Sequence, residues 1–163
     1  MEEIWDLVDK DGKRTGIKWP RSKHDSIPEG LYHPCVEVWV RVGDRLLIAR
    51  RHPDKSEGLK YDAPGGAVVS GEDELCAAAR ELYEEVGIFA EPQSLQRLGV
   101  VISKVGYAIT YLLCLDSLPS LVLQPSEVVG YRLVSRGELD QMIDELCENC
   151  AKRYFIYRDR LFN

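Results

Sequence analysis

The sequence predicts a mixed fold of strands and helices, α+β or a mixed α/β sandwich. Two observations carry this: segments with strand character outnumber helical ones, and the connections between them are mixed, some of turn length and others running through a helix. In order, "EIWDLVDKDGKRTG" reads as a hairpin over about residues 3–18, turning at the strong turn dipeptide Asp11-Gly12. Residues 19–34 carry Pro20, Pro28 and Pro34 and read as an irregular connector. Two strands follow, Cys35 to Val42 and Arg45 to Arg51, around Gly43-Asp44, with Val36, Val38, Val40 and Val42 alternating with partly polar neighbours. "HPDKSEGLKYDAPGG" reads as a loop and "AVV" as a brief strand. Ser70 with Asp73 three residues on resembles a capping box with a short partner, which predicts a helix from about Gly71 to Val86, stopped by Gly87. Strands are expected near Gln96 to Ser103, Tyr107 to Leu115 and Val128 to Val134. Ser135 with Glu138 is a fuller capping box that opens a second helix through about Asn149, and "AKRYFIYRDRLF" continues as a short third helix.

At 163 residues, without repeats or a Pro/Gly/Ser linker, the chain is expected to form one domain over 1–163, large enough to bury roughly 70% of its unfolded surface. A net charge of −6 argues against a binder of polymeric nucleic acid, which would present a basic face. No apolar run reaches the roughly 18 residues of a membrane span, so no membrane partner is expected. Five scattered cysteines suit reduced thiols in the cytoplasm. Cys147 and Cys150 form a C-x-x-C without a second pair or a His pair, and read as two ordinary thiols inside a helical pattern.

The acidic helix carries the first chemical signal. At about 100° per residue, with Glu81 at 0°, Glu84 lies at about −60° and Glu85 at about +40°, so the three carboxylates share one face. Leu75, Ala79, Leu82 and Val86 form an apolar stripe centred about 130° away. Like charges at these spacings repel, and the last turns of a helix disfavour acids, while Arg80 is the one nearby base. A solvated acidic face is one reading. The other is a set of ligands for a hard divalent cation, which takes carboxylate and phosphate oxygens together.

The spacing of Gly66, Glu72, Arg80-Glu81-Leu82, Glu84-Glu85 and Gly87-Ile88 resembles the Nudix box, G-x5-E-x7-R-E-U-x-E-E-x-G-U with U aliphatic, over residues 66–88. The resemblance implies a Nudix-type α/β/α sandwich with a mixed sheet. It also implies a hydrolase of a small diphosphate substrate, a nucleoside diphosphate linked to another moiety, working with Mg²⁺ or Mn²⁺. Carried over by position, Glu84 and Glu85 would ligate the metal, with Glu81 a further ligand or the group that activates water. Arg80 would hold a carboxylate in place, with Glu72 as partner, and the Gly65 carbonyl would add an oxygen. A homodimer is a family-level expectation.

"WDLVDKDGKRTG", "PEGLYHPCVEVWVRVGDRLLIARR" and "YDAPGG" resemble the Nudix subgroup similar to isopentenyl-diphosphate isomerase. Such isomerases place a Cys-Gly-His-Pro segment just before the box; this chain has Ala63-Pro64-Gly65-Gly66, which favours hydrolysis over isomerisation. A non-catalytic nucleotide-binding module is the other alternative, and would be expected to carry a degraded box. Glu127 stands where Nudix hydrolases often place another acid near the metals. His33 falls at an isomerase metal position but reads here as a structural or substrate-side residue. Arg50 and Arg51 end a strand leading toward the cleft, so one is expected to meet phosphate and the other solvent. Tyr61 and Asp62 precede the Gly-Gly turn, and Tyr61 reads equally as cleft lining or as packing.

Overall fold

The computed structural model describes residues 1–163. Its frame is a seven-stranded mixed sheet built around β3 (His33–Val42) and β8 (Gly106–Leu115), paired parallel over their full length from His33 opposite Gly106 to Val42 opposite Leu115. On one side β7 (Gln96–Ile102) runs antiparallel to β8. The other edge of β3 is shared. Its last residues, Val40 to Val42, pair with β4 (Arg45–Arg51), while Cys35 to Glu37 pair with β6 (Gly65–Ala67). β4 then carries β9 (Val128–Ser135) along its length and the two-residue β5 (Tyr61–Asp62) at its end. The split along the edge of β3 opens the sheet and puts Gly65 and Gly66 at the gap.

Alternation along β3 divides the core. Val36, Val38 and Val40 enter a cluster with Ala77, Ala78, Leu82 and Val86 of α1 (Glu74–Val86). Trp39 points the other way, into a cluster with Leu139 of α2 (Arg136–Gln141) and Tyr154, Tyr157 and Leu161 of α3 (Glu148–Leu161). Helices therefore cover both faces, as expected of a sandwich. Among the neighbours that alternate with the valines, Glu37 and Trp39 are buried too, Glu37 at 3% exposure. A separate hairpin of β1 (Ile4–Val8) and β2 (Arg14–Pro20) bears a small third cluster of Trp5, Leu7 and Ile27. No helix is long and apolar enough to cross a membrane.

Several boundaries differ from the sequence reading, each for a local reason. Residues Arg21–Ser26 of the connector form a 3-10 helix, and β5 lies within the expected loop. The brief strand is Gly65–Ala67 rather than "AVV", because it pairs through its glycines with β3. Helix α1 starts at Glu74: Asp73 is its N-cap, its Oδ1 accepting from the amides of Leu75 at 2.9 Å and Cys76 at 3.4 Å. Ser70 is not a cap; its hydroxyl donates to Asp6 of the hairpin at 2.8 Å. Asp73→Ala is therefore expected to cost about 1 kcal/mol in urea unfolding, the usual loss for an N-cap. Gly87, at φ 76°, ends the helix in the left-handed region as expected.

The Ser135 and Glu138 capping box is present, but its helix stops at Gln141 and gives way to a 3-10 turn over Ile143–Glu145. The third helix begins instead at Glu148 and, at 14 residues, is longer than expected. Cys147 is its N-cap residue, and Cys150 lies buried in its first turn.

Candidate active site

Helix α1 packs its apolar stripe on the sheet, which turns Glu81, Glu84 and Glu85 toward a cleft of about 600 Å³. Arg80 is fully committed among them. Its Nε and Nη2 grip both oxygens of Glu72 at 2.7 and 2.9 Å, Nη1 reaches Glu81 at 2.7 Å and Glu84 at 3.1 Å, and Nη2 also meets the Ala67 carbonyl at 3.1 Å. These bonds, led by the one to Glu72, raise the Arg80 pKa further and keep the guanidinium charged. Part of the repulsion on the acidic face is thus answered from within the helix.

Glu85 is not answered in this way. Its Oε2 accepts from the Gly65 amide at 3.2 Å, and burial pushes its pKa up to about 8. Burial also raises Glu81, against the pull of Arg80. A half-buried carboxylate with so little compensation, beside two others on one face, supplies the hard oxygen donors that a divalent cation takes.

The glycines of β6 let this happen. A Cβ on Gly66 would stand 2.5 Å from the Glu81 carboxyl carbon, and one on Gly65 would run into the β3 backbone. Gly66→Ala is accordingly expected to lower kcat by about 10–100-fold by displacing Glu81, read by steady-state kinetics beside an unfolding curve.

Across the cleft, loop 52–60 carries Lys55 into contact with Glu127. The loop is tightly wound: Glu57 and Leu59 have φ of 52° and 67°, costly for residues with a Cβ. Arg51 holds it, donating through Nε to the Ser56 carbonyl at 3.0 Å and through Nη1 to Asp62 at 3.2 Å. Burial lowers the Lys55 pKa, with Glu85 among the charges opposing the shift. Glu127 is thus at the cleft, and its carbonyl accepts from the His52 amide at 2.8 Å.

Of the paired arginines, Arg51 lines the space adjoining the cleft, while Arg50 is exposed, donates to the Leu59 carbonyl at 3.1 Å and lies 6.0 Å from the Tyr61 ring. Arg50 and Tyr61 do not line the cleft; Tyr61 packs against the α3 side of the core, and its carbonyl accepts from the Cys147 amide. Of the candidate substrate residues, Arg50 is turned to solvent by the pleat of β4, as expected of one arginine of the pair, and Tyr61 takes the packing role of its two readings, fixed against α3 by the parallel bridge to Leu146. His33 stacks on Trp5 at 4.4 Å with Nδ1 unpartnered, and burial lowers its pKa to about 4, so the ring is neutral.

Sequence reasoning missed Lys55 and the N-terminal residues Glu3, Trp5, Arg21 and His24, which also line the cleft. Lys55 is one cation among several in a charged loop, and nothing local marks the hairpin as a wall of a site more than sixty residues away.

Residues 31–154 match the NUDIX domain. The chain is 28% identical over 170 residues to an uncharacterized Nudix hydrolase of Clostridium acetobutylicum, covering 95% of this chain and 81% of that one. It is 28% identical over 146 residues to an isopentenyl-diphosphate Delta-isomerase of Pectobacterium atrosepticum, covering 83% and 78%. A crystal structure of a Deinococcus radiodurans protein shares the fold with a TM-score of 0.76 at 24% identity, covering 94% of this chain and 98% of that one. With the box in place on α1 and the domain match spanning most of the sequence, the chain belongs to the Nudix family, hydrolases that cleave pyrophosphate bonds in nucleoside diphosphate derivatives.

Proposed function

We propose that this protein is a Mg²⁺-dependent hydrolase, with Mn²⁺ as a substitute, that cleaves the diphosphate bond of a small nucleoside-diphosphate-derived substrate. The observation that carries this reading is Glu85, half-buried beside Glu81 and Glu84 on the cleft face of α1 and compensated by little more than the Gly65 amide. A bound divalent ion supplies charge to neutralise the diphosphate and eases proton loss from an attacking water. Glu81, Glu84 and Glu85 would hold the ion, with the Gly65 carbonyl as a further donor. Arg80 fixes Glu81 and Glu84 in orientation through its fork on Glu72. Glu81, hydrogen-bonded to Arg80 through Oε1, would orient or deprotonate water through its other oxygen. Glu127 adds a fourth carboxylate, and Lys55 is the cation that faces the departing phosphate.

Isomerisation is the weaker reading. The segment Ala63-Pro64-Gly65-Gly66 offers neither thiol nor imidazole. Cys35 lines the cleft, but its thiol is directed at the Tyr107 carbonyl and burial raises its pKa to about 11.

The test is product release from a panel of nucleoside di- and triphosphates, ADP-ribose, sugar nucleotides, dinucleotides and prenyl diphosphates with Mg²⁺. P–O–P cleavage of at least one nucleotide is expected. Conversion of isopentenyl to dimethylallyl diphosphate, with no cleavage anywhere in the panel, would overturn the proposal.

A further inference from the structure

The acidic cleft does not end at the glycines. His24, His33, Cys35, Ser56, Gly65 and Gly66 line both it and a second lobe of about 470 Å³, which runs between the ends of β7 and β8 and the start of α3. One wall of this lobe is apolar, formed by Val101, Ile102 and Val105; the opposite wall carries Glu37, Asp62 and Arg153. The polar wall is built rather than incidental. Glu37, 3% exposed, accepts from Trp39 Nε1 at 2.5 Å through one oxygen and from Arg153 Nε at 2.5 Å through the other. Arg153 also reaches Glu37 through Nη2, which leaves Nη1 for a ligand. Burial works against the charge of Arg153, and Glu37 more than offsets it. Asp62 accepts from the Ala63 amide at 3.0 Å, from Arg51 at 3.2 Å and from the Cys147 thiol, three partners for its four lone-pair sites, which leaves it acceptor capacity.

This wall discriminates among occupants. The cations around it are engaged: Arg51 with Asp62, Arg153 with Glu37, and Lys152 with Glu148 at 2.6 Å. A second phosphate would find the Arg153 Nη1 hydrogens but no positive charge that Glu37 and Asp62 have not already balanced. Nor is the wall suited to a divalent ion, although Glu37, Asp62 and Cys150 approach one another within 4.8 Å, because the guanidinium of Arg153 already supplies the positive charge there. A prenyl chain would bury these polar groups without giving them partners, which is costly. A flat ring with donors and acceptors on its edge satisfies both walls.

On the reading that the acidic lobe binds a nucleoside diphosphate, we infer that the second lobe holds the base of the substrate and selects one bearing an exocyclic amino group, with Asp62 accepting from the amine and Arg153 donating to the adjacent ring acceptor. In that register an oxo base of the same size turns its carbonyl oxygen to the carboxylate and its ring N–H to the guanidinium, both repulsive, and must shift by a ring position to pair, which weakens it.

The test uses nucleosides, which carry no phosphate, on the full-length metal-free protein, followed by amide NMR. Adenosine and cytidine are expected to shift resonances of residues 101–106 and 147–153, with inosine and uridine binding at least ~10-fold more weakly. Asp62→Asn, whose amide can also donate, should bring adenosine and inosine to within about twofold. Equal binding of the four nucleosides to the wild type, shifts produced as well by ribose or isopentenol, or no shift at these residues would overturn the inference, whether or not the variant folds. No turnover is involved, so such a failure leaves diphosphate hydrolysis standing. Failure of hydrolysis, conversely, leaves the nucleoside result intact.

Discussion

Glu85→Gln is expected to lower kcat by about 10³-fold while leaving the fold intact, since it removes the charge but keeps the shape of the side chain. The other carboxylates of this face cannot replace it: Glu81 and Glu84 already share Arg80. The same substitution has a second consequence, on stability. The Glu85 carboxyl has its folded-state pKa raised to about 8 by burial, from an ordinary value of 4.5, so between these values the folded protein holds a proton that the unfolded chain has given up. Stability of the metal-free protein is therefore greatest below about pH 4.5 as far as this group is concerned. It is lost as pH rises through 8, at about 1.4 kcal/mol for each unit by which the two values differ. Glutamine does not titrate. Metal-free Glu85→Gln should consequently be more stable than the wild type at pH 8 and lack this component of the pH slope, which urea unfolding at pH 6, 7 and 8 will show. Unchanged turnover in this variant would sink the assignment of the acidic face.

Arg80→Ala is expected to cost about 3 kcal/mol in the metal-free protein, since it strips the shared cation from three carboxylates, two of them, Glu72 and Glu81, only 15% exposed at the side chain. A bound divalent ion should restore part of that loss, because it supplies positive charge to the same oxygens. Arg80→Lys should rescue poorly: an ammonium cannot grip both oxygens of Glu72 and reach Glu81 and Glu84 at once. Urea unfolding with and without Mg²⁺ separates these contributions. A loss under 1 kcal/mol, insensitive to Mg²⁺, would mean that the arginine only decorates the helix.

Helical angles computed from sequence put three glutamates on one face, and that face does line the cleft, because an α-helix fixes relative directions as soon as its register is known. The strand pattern was legible for the same reason, through period-2 alternation. Less legible was anything that depends on which segments meet. Ser70 could cap a helix or bind Asp6, and only the docking of the hairpin decides. The expected run from Ser135 to Asn149 contains no Pro or Gly beyond Gly137, yet it breaks after Gln141, and its second part packs Leu146 and Cys147 into the core. Lys55 and the Glu37–Arg153 pair, 116 residues apart in sequence, belong to the same class of feature. Alternation sets Glu37 on the face opposite the valines but cannot reveal that α3 covers that second face of the sheet.

The central claim is that the acidic face of α1 is half of a metal site whose other half is the phosphates of the substrate. It is tested most directly by titrating Mn²⁺ into the wild type and Glu85→Gln by calorimetry at pH 7, in two buffers of different ionisation enthalpy. Because Glu85 is protonated at that pH in the metal-free protein, the wild type should bind Mn²⁺ with release of close to one proton per ion, and the variant should bind at least ~10-fold more weakly without that release. Binding of equal strength in both proteins, or no binding by the wild type even with a non-hydrolysable nucleoside diphosphate analogue present, would contradict it.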